Sequence, residues 1–222
     1  MEKQVCTVAC IILFLFFNVS PVSSAEIVVN EIIDLGTLGG STSLAYGIND
    51  LGQVVGFGET VSGAEHAFLW SEADGMIDLG TLGGSDSQAT GINDLGQIVG
   101  WSWPASGAAH AFLWREADGM IDLGTLGGGY SSAKDINDLG QIVGDFGAGT
   151  RIDHAFLWSE ADGMIDLGNL GGLWTIAYGI NDLGQVVGFS ETASGARHAV
   201  SWETRVLLPM AAFSWSPEPR VK

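Results

Sequence analysis

The sequence predicts an all-β protein: a repeat array of four 44-residue, four-stranded antiparallel units that is β-propeller-like. The first observation behind this prediction is a strict period, because three short words recur in register along the chain. The second is turn chemistry, since Asp-Leu-Gly and Ala-Asp-Gly divide the units at hairpin spacing. The third is the lack of a 3.6-residue apolar period, together with glycines that would each cost a helix about 1 kcal/mol.

The three words mark equivalent positions in each unit. The histidine word is HAFLW three times and HAVSW once, and its histidines are His66, His110, His154 and His198. The word IDLG, which is followed by TLGG three times and NLGG once, begins at Ile33, Ile77, Ile121 and Ile165. The word INDLGQ directly follows Gly47, Gly91, Asp135 and Gly179. Each repeated residue therefore exists in about four copies, which is typical of scaffolds and multivalent binders rather than of enzymes.

Residues 45–80 illustrate the predicted elements in order. AYGIN and QVVGFGE are two strands joined by Asp-Leu-Gly, whose glycine can take the positive φ of a tight hairpin. After a Ser-Gly-Ala loop, HAFLW is a third, aromatic-rich strand. A turn at Glu72–Gly75 leads to the fourth strand, Met76–Leu79. The glycine-rich stretch Gly80–Ser85 is predicted to be a link to the next unit.

Unit size favours a propeller blade, which typically has about 40–45 residues in four strands. A β-solenoid is the alternative, although it would favour parallel coils without paired hairpins. Closure of the ring is open. Ile27–Leu35 matches the fourth strand of a unit, whereas the last unit loses its pattern after Trp202 and continues to VLLPM at 206–210. Strand exchange by Ile27–Leu35 would close the ring; otherwise an open arc leaves an unpaired edge for self-association, or two chains complete a larger ring.

The first 25 residues have the features of a secretory signal peptide. Lys3 precedes an apolar stretch, and a small-residue run ends at Ala25. Cleavage there would remove Cys6 and Cys10, leaving a secreted, extracellular chain with no disulfide and no membrane span. The predicted boundaries are 1–25 for the signal peptide, 26–210 for the four-repeat domain and 211–222 for an off-repeat C-terminal tail.

The charge balance restricts the class of partner. The chain has 26 acidic and 8 basic residues, a formal net charge of −18. Because binding to phosphate groups depends on lysine and arginine, this surface argues against nucleic acid and anionic membranes as partners.

The words HAFLW, IDLGTLGG and INDLGQVVG resemble the HAF-family extracellular repeat of bacterial exported proteins. The resemblance extends over about residues 33–202, and three linked words in register make it specific. It implies export and a propeller-like repeat fold, and it brings no catalytic residue or ligand.

The recurring polar residues are interpreted as structural markers. Four histidines could hold a transition metal only if they converged, and the third-strand position favours a histidine that hydrogen-bonds turn or backbone groups instead. The INDLGQ aspartates, which could suggest calcium, lack the EF-hand spacing and are predicted to hold their own turns; they are Asp50, Asp94, Asp138 and Asp182. The IDLG aspartates are predicted to bond the glycine-rich link. No metal and no cofactor are predicted.

A unique site is expected where one repeat departs from its sisters, and the third repeat departs most. Its five charged residues are the candidate ligand-binding residues: Lys134, Asp135, Asp145, Arg151 and Asp153. Drift on solvated positions, or an internal Lys–Asp pair, is the competing interpretation. The unrepeated Trp101, Trp103 and Trp174 could stack on sugar rings or pack beneath loops.

The predicted function is that of a secreted, non-catalytic binding or structural module for an extracellular ligand, such as a glycan or envelope polymer. The alternative is an exported hydrolase that uses acidic residues at one end of the propeller. No catalytic residue is singled out, because neither a nucleophile motif nor a particular carboxylate pair stands out in the sequence.

Overall fold

The computed structural model describes residues 32–105, 107–149 and 152–203. Two compact units divide the chain, residues 1–34 and 35–222, and all the described strands belong to the second. Several predicted segments lie outside the described residues: the signal peptide 1–25, residues 27–31 of the lone strand, VLLPM at 206–210 and the tail 211–222. Residues 32–35, the described part of the lone strand, form no strand, contrary to the prediction.

The described residues form fifteen β-strands and no helix, so the all-β prediction is confirmed. The first two repeats each form one antiparallel four-stranded sheet, with the orders β1-β2-β3-β4 and β5-β6-β7-β8. Their strands are β1 (Gly39–Ile48), β2 (Val54–Thr60), β3 (Glu65–Ser71), β4 (Gly75–Asp78), β5 (Gly83–Ile92), β6 (Ile98–Pro104), β7 (His110–Arg115) and β8 (Gly119–Asp122).

The third and fourth repeats share one seven-stranded sheet, which differs from the predicted four separate units. Its order is β15-β14-β13-β11-β10-β9, and β12 pairs with β11. One parallel bridge, between Asp153 and Trp174, joins the two repeats. At the equivalent place between the first two repeats, the Glu65 amide donates to the Asp86 side chain instead. The strands are β9 (Ser131–Ile136), β10 (Ile142–Gly149), β11 (Ile152–Ser159), β12 (Gly163–Asp166), β13 (Gly171–Ile180), β14 (Gln185–Thr192) and β15 (Arg197–Glu203).

The hairpin turns follow the predicted chemistry. Gly52 in the first Asp-Leu-Gly turn has φ 74°, and Gly75 in the Ala-Asp-Gly turn has φ 71°, both in the left-handed region that glycine tolerates. The first strand of the unit starts earlier than predicted. In the second repeat, β5 begins at Gly83, which lies within the expected link. A register shift between Gly83 and Ser87 lets this stretch join the ladder as a bulged strand.

Three hydrophobic clusters lie where one repeat packs on the next. Each combines a valine, an alanine and a leucine of one repeat with an alanine and at least one aliphatic residue of the following repeat, and two of the three also include phenylalanine. Between the first and second repeats these are Val55, Ala67, Leu79, Ala89, Ile98 and Phe112. Strands β2 and β3 thereby pack on β5, and the corresponding strands pack in the same way at the next two junctions.

Within the described ranges, no helix is long and apolar enough to cross a membrane.

Candidate functional site

The first three repeated histidines each bind the aspartate of the IDLG word that follows. His66 Nδ1 lies 2.9 Å from Asp78 Oδ2, and Asp78 Oδ1 also accepts the Gly80 amide at 2.8 Å. The counterparts are His110–Asp122 at 2.8 Å and His154–Asp166 at 2.7 Å. The predicted bond from this aspartate to the glycine-rich link is confirmed, whereas the histidine partner is a carboxylate rather than a turn or backbone group. No cluster of three or more His, Cys, Asp or Glu side chains suited to a metal ion occurs in the described part of the chain.

The asparagines of INDLGQ hold both their own turns and the next repeat. Asn49 Oδ1 accepts the amides of Leu51 and Gln53, and Asn49 Nδ2 donates to the Asn93 carbonyl, 44 residues away, at 3.1 Å. The same bond runs from Asn93 to Asn137 at 3.0 Å and from Asn137 to Asn181 at 2.9 Å. This ladder links the four repeats at one end of their first hairpins.

The neighbouring aspartates form a second ladder, so the prediction that they hold their own turns is wrong. The Asp50 amide donates to Asp94 Oδ1 at 2.9 Å, and the bond recurs from Asp94 to Asp138 and from Asp138 to Asp182 at 3.0 Å. The isoleucine, asparagine and aspartate of all four INDLGQ words line one open cavity of about 270 Å³. The recurring polar residues therefore connect repeats to each other.

The third repeat replaces an aromatic pair with an ion pair. Tyr46 and Phe57 have ring centroids 6.1 Å apart, as do Tyr178 and Phe189 in the fourth repeat. At this position in the third repeat, Lys134 Nζ lies 3.0 Å from Asp145 Oδ1. Asp145 is only 4% exposed, and its Oδ1 accepts no hydrogen bond from the described residues, so the lysine stabilises it by charge.

Tyr130 completes this cluster, and the sequence prediction missed it. Burial first, then the charge of Asp145 and a hydrogen bond with Asp153, raise the pKa of the Tyr130 hydroxyl well above its usual range. The Tyr130 hydroxyl therefore keeps its proton at neutral pH. The sequence signal that could have found Tyr130 is that its position differs in every repeat, with Thr42, Asp86 and Trp174 in the other three.

The structure brings together three of the five predicted ligand-binding residues, namely Lys134, Asp145 and Asp153. Asp135 has a different role at the next junction, where its Oδ1 accepts the Ile136 amide and its Oδ2 accepts the Ile180 amide, both at 2.9 Å. Burial raises the pKa of the Asp135 carboxyl. Arg151 lies outside the described residues.

The other repeats carry different chemistry at the same register. In the fourth repeat, the Arg197 guanidinium lies 4.8 Å from the centre of the Trp174 ring and 5.2 Å from that of Phe189. In the second repeat, Trp101 Nε1 donates to Gln88 Oε1 at 3.0 Å. Trp101 is thus held within its sheet, and Trp103 stands exposed. Trp101, Asp145 and Phe189 thus hold the same register in the second, third and fourth repeats with different chemistry.

These features define an all-β protein of antiparallel sheets with an unrepeated charged cluster. No protein-family model and no curated protein matches the sequence. Among solved structures, the chain is similar to TolB from Acinetobacter baumannii, with a TM-score of 0.47, 13% identity and 71% of this chain covered. The match spans 42% of that TolB chain, so less than half of its length is represented.

Proposed function

We propose that the chain is a secreted, non-catalytic binding module whose four repeats are propeller-like blades of the HAF-repeat type. The observation that carries the proposal is that the repeated and the unrepeated polar side chains have different roles. The recurring histidine, asparagine and aspartate residues are used in bonds within and between repeats. Lys134, Tyr130, Asp145 and Asp153 are unrepeated, and they form one cluster in the third repeat.

Support for the blade arrangement comes from the spacing of the inter-repeat bonds. The asparagine and aspartate ladders step by 44 residues, and the INDLGQ words of all four repeats meet at one cavity. Inner strands of blades around a common axis would have this arrangement. The clusters between sheets fit the same scheme, since stacked repeats bury their hydrophobic faces against each other.

Support for a polar ligand comes from the chemistry of the cluster. Lysine, an aspartate carboxylate and a tyrosine ring are groups that commonly bind sugar hydroxyls, and in this cluster the buried Asp145 would hold Lys134 in place for such contacts. None of the four cavities described for the structure is lined by Asp145 or Asp153. Because Asp145 is already paired with Lys134, the cluster supports binding of an extracellular glycan or envelope polymer over the hydrolase alternative, which needs two carboxyl groups flanking the scissile bond.

The test is a binding screen against immobilised glycans and envelope polymers, followed by reversion of the cluster. Replacing Lys134→Tyr together with Asp145→Phe installs the aromatic pair of the sister repeats and should weaken binding of any hit at least tenfold. A matched control, Trp101→Phe, changes the side chain that occupies the position of Asp145 in the second repeat, where Trp101 is held within its own sheet by Gln88, and should leave affinity unchanged. Equal affinity of the double variant and the control would contradict the site, and release of shortened glycan would favour the hydrolase alternative.

A further inference from the structure

We propose that the exposed face of the fourth repeat docks on the exposed face of the first repeat in a second copy of this chain. The contact would reproduce between molecules the junction that the chain makes three times within itself. Its two halves are each present, one on the fourth repeat and one on the first. This proposal concerns assembly and is independent of the ligand-binding site proposed above.

The fourth repeat exposes the residues that its sisters bury. Val187 is 54% exposed, whereas its counterparts Val55, Val99 and Val143 are fully buried. Ala199 is exposed, whereas Ala67, Ala111 and Ala155 are fully buried. These are the residues that pack on the first strand of a following repeat at the three internal junctions. An open groove of about 410 Å³ lies here, lined in part by Asn181, Val187 and Ser201.

The first repeat exposes the other half of the junction. Ala45 is exposed, whereas its counterparts Ala89, Ala133 and Ala177 are fully buried against a preceding repeat. An apolar groove of about 370 Å³ lies here, lined in part by Leu35, Ala45, Ile48 and Val54. Leu35 is the counterpart of Leu79, which seals the first internal junction. The face therefore already carries the residues that a preceding repeat would contact.

The polar bonds of the junction also have both halves in place. At the first two junctions an alanine amide donates to a serine Oγ of the next repeat at 2.8 Å, from Ala67 to Ser87 and from Ala111 to Ser131. The corresponding groups on the two exposed faces are the Ala199 amide of the fourth repeat and Ser43 Oγ of the first. Ser43 Oγ donates to the Gly36 carbonyl at 2.6 Å, as Ser87 does to Gly80 at 2.5 Å, so its orientation is that of the buried serines.

The two ladders extend across the same contact. The Asn181 Nδ2 would donate to the Asn49 carbonyl, and the Asp182 amide would donate to Asp50 Oδ1. Within the described residues, neither bond is made between the fourth repeat and the first. Since the fourth-repeat face contributes valine and alanine while the first-repeat face contributes alanine and serine, the contact is heterologous. A second copy of the chain supplies the matching face, and such contacts close a ring of two or more chains where the rotation between copies permits it.

The test compares the solution mass of the purified protein with that of two face variants. Val187→Glu disables the fourth-repeat face and Ala45→Glu disables the first-repeat face, each by burying an unpaired charge. We expect the wild type to have the mass of two or more chains, and each variant alone to be monomeric at the same concentration. Mixing the two variants should restore a 1:1 complex, because each retains the face that the other has lost. Val61→Glu, an exposed valine in the loop before β3, is the matched control and should assemble like the wild type.

Every other outcome overturns the proposal. A monomeric wild type would mean that the faces are covered within one chain, by ring closure or by residues outside the described ranges. Loss of assembly in only one variant would indicate a symmetric contact between identical faces. Assembly in both variants would place the contact elsewhere. Circular dichroism of each variant separates these outcomes from misfolding, since both substituted side chains lie on exposed surface.

Discussion

The third and fourth repeats place different side chains on the same strand register. In β10 and β11, Gly144 faces Phe156 and Asp145 faces Ala155; in β14 and β15, Gly188 faces Val200 and Phe189 faces Ala199. On this shared backbone the third repeat carries an ion pair with a buried carboxylate, and the fourth carries an arginine between aromatic rings. The two repeats thus share the same strand pairing, while the side chains at a few positions differ in chemistry.

The two repeats also differ in how they are covered. The third repeat packs on the second through one face and on the fourth through the other. The fourth repeat has a described neighbour only on the side of the third, and Val187 and Ala199 on the opposite face are exposed. Equivalent substitutions in the two repeats should therefore have unequal effects, and the size of the difference measures the contribution of the neighbouring repeat.

The largest expected difference is at the phenylalanine of the histidine word. Phe156 is fully buried in the cluster between the second and third repeats, so Phe156→Ala should lower the free energy of unfolding by about 3–5 kcal/mol. Its counterpart Val200 is half-buried, and Val200→Ala should cost less than about 1.5 kcal/mol. Urea denaturation of both variants is the measurement, and equal losses would mean that Val200 is packed as tightly as Phe156.

A smaller effect is expected at the ion pair. Lys134→Tyr alone should cost about 3 kcal/mol, because it leaves the buried Asp145 carboxylate without a countercharge. Adding Asp145→Phe should recover most of that loss, since the double variant reproduces the Tyr178–Phe189 pair of the fourth repeat. The coupling is measured by a double-mutant cycle in urea. Additive losses from the two single changes would mean that the pair contributes no interaction of its own.

The strands and turns could be predicted from the sequence because their signals are local. Asp-Leu-Gly and Ala-Asp-Gly carry their own backbone preferences, and HAFLW has the composition of a strand. The partners of the polar residues could not be found this way. His66 bonds an aspartate twelve residues later, and Asn49 bonds a carbonyl 44 residues later. A period shows that such residues are equivalent, but it does not show whether they bond within a unit or between units.

The unrepeated cluster was predicted only in part, for the same reason. Lys134 and Asp145 stand out as charges where sister repeats have apolar or neutral residues. Tyr130 is less conspicuous, since its position varies in every repeat, and only the fold brings it near Asp145 and Asp153. Asp135 follows Lys134 directly in the sequence, yet its carboxylate bonds the backbone of the fourth repeat. Alternation along a strand separates neighbours in sequence onto opposite faces.

The smallest expected difference is at Asp135, whose counterpart in the fourth repeat is Gly179. Burial raises the pKa of the folded carboxyl above its ordinary value of 3.8, so the folded chain holds this proton more tightly than the unfolded chain does. The contribution of Asp135 to stability is therefore greatest below pH 3.8 and falls as pH rises through the folded pKa. In the Asp135→Gly variant this pH-dependent contribution is absent. The wild-type free energy of unfolding minus that of the variant should decrease from pH 3 to pH 7, as measured by urea denaturation at fixed ionic strength. A difference that rises with pH would mean that the amides of Ile136 and Ile180 stabilise the carboxylate by more than burial destabilises it.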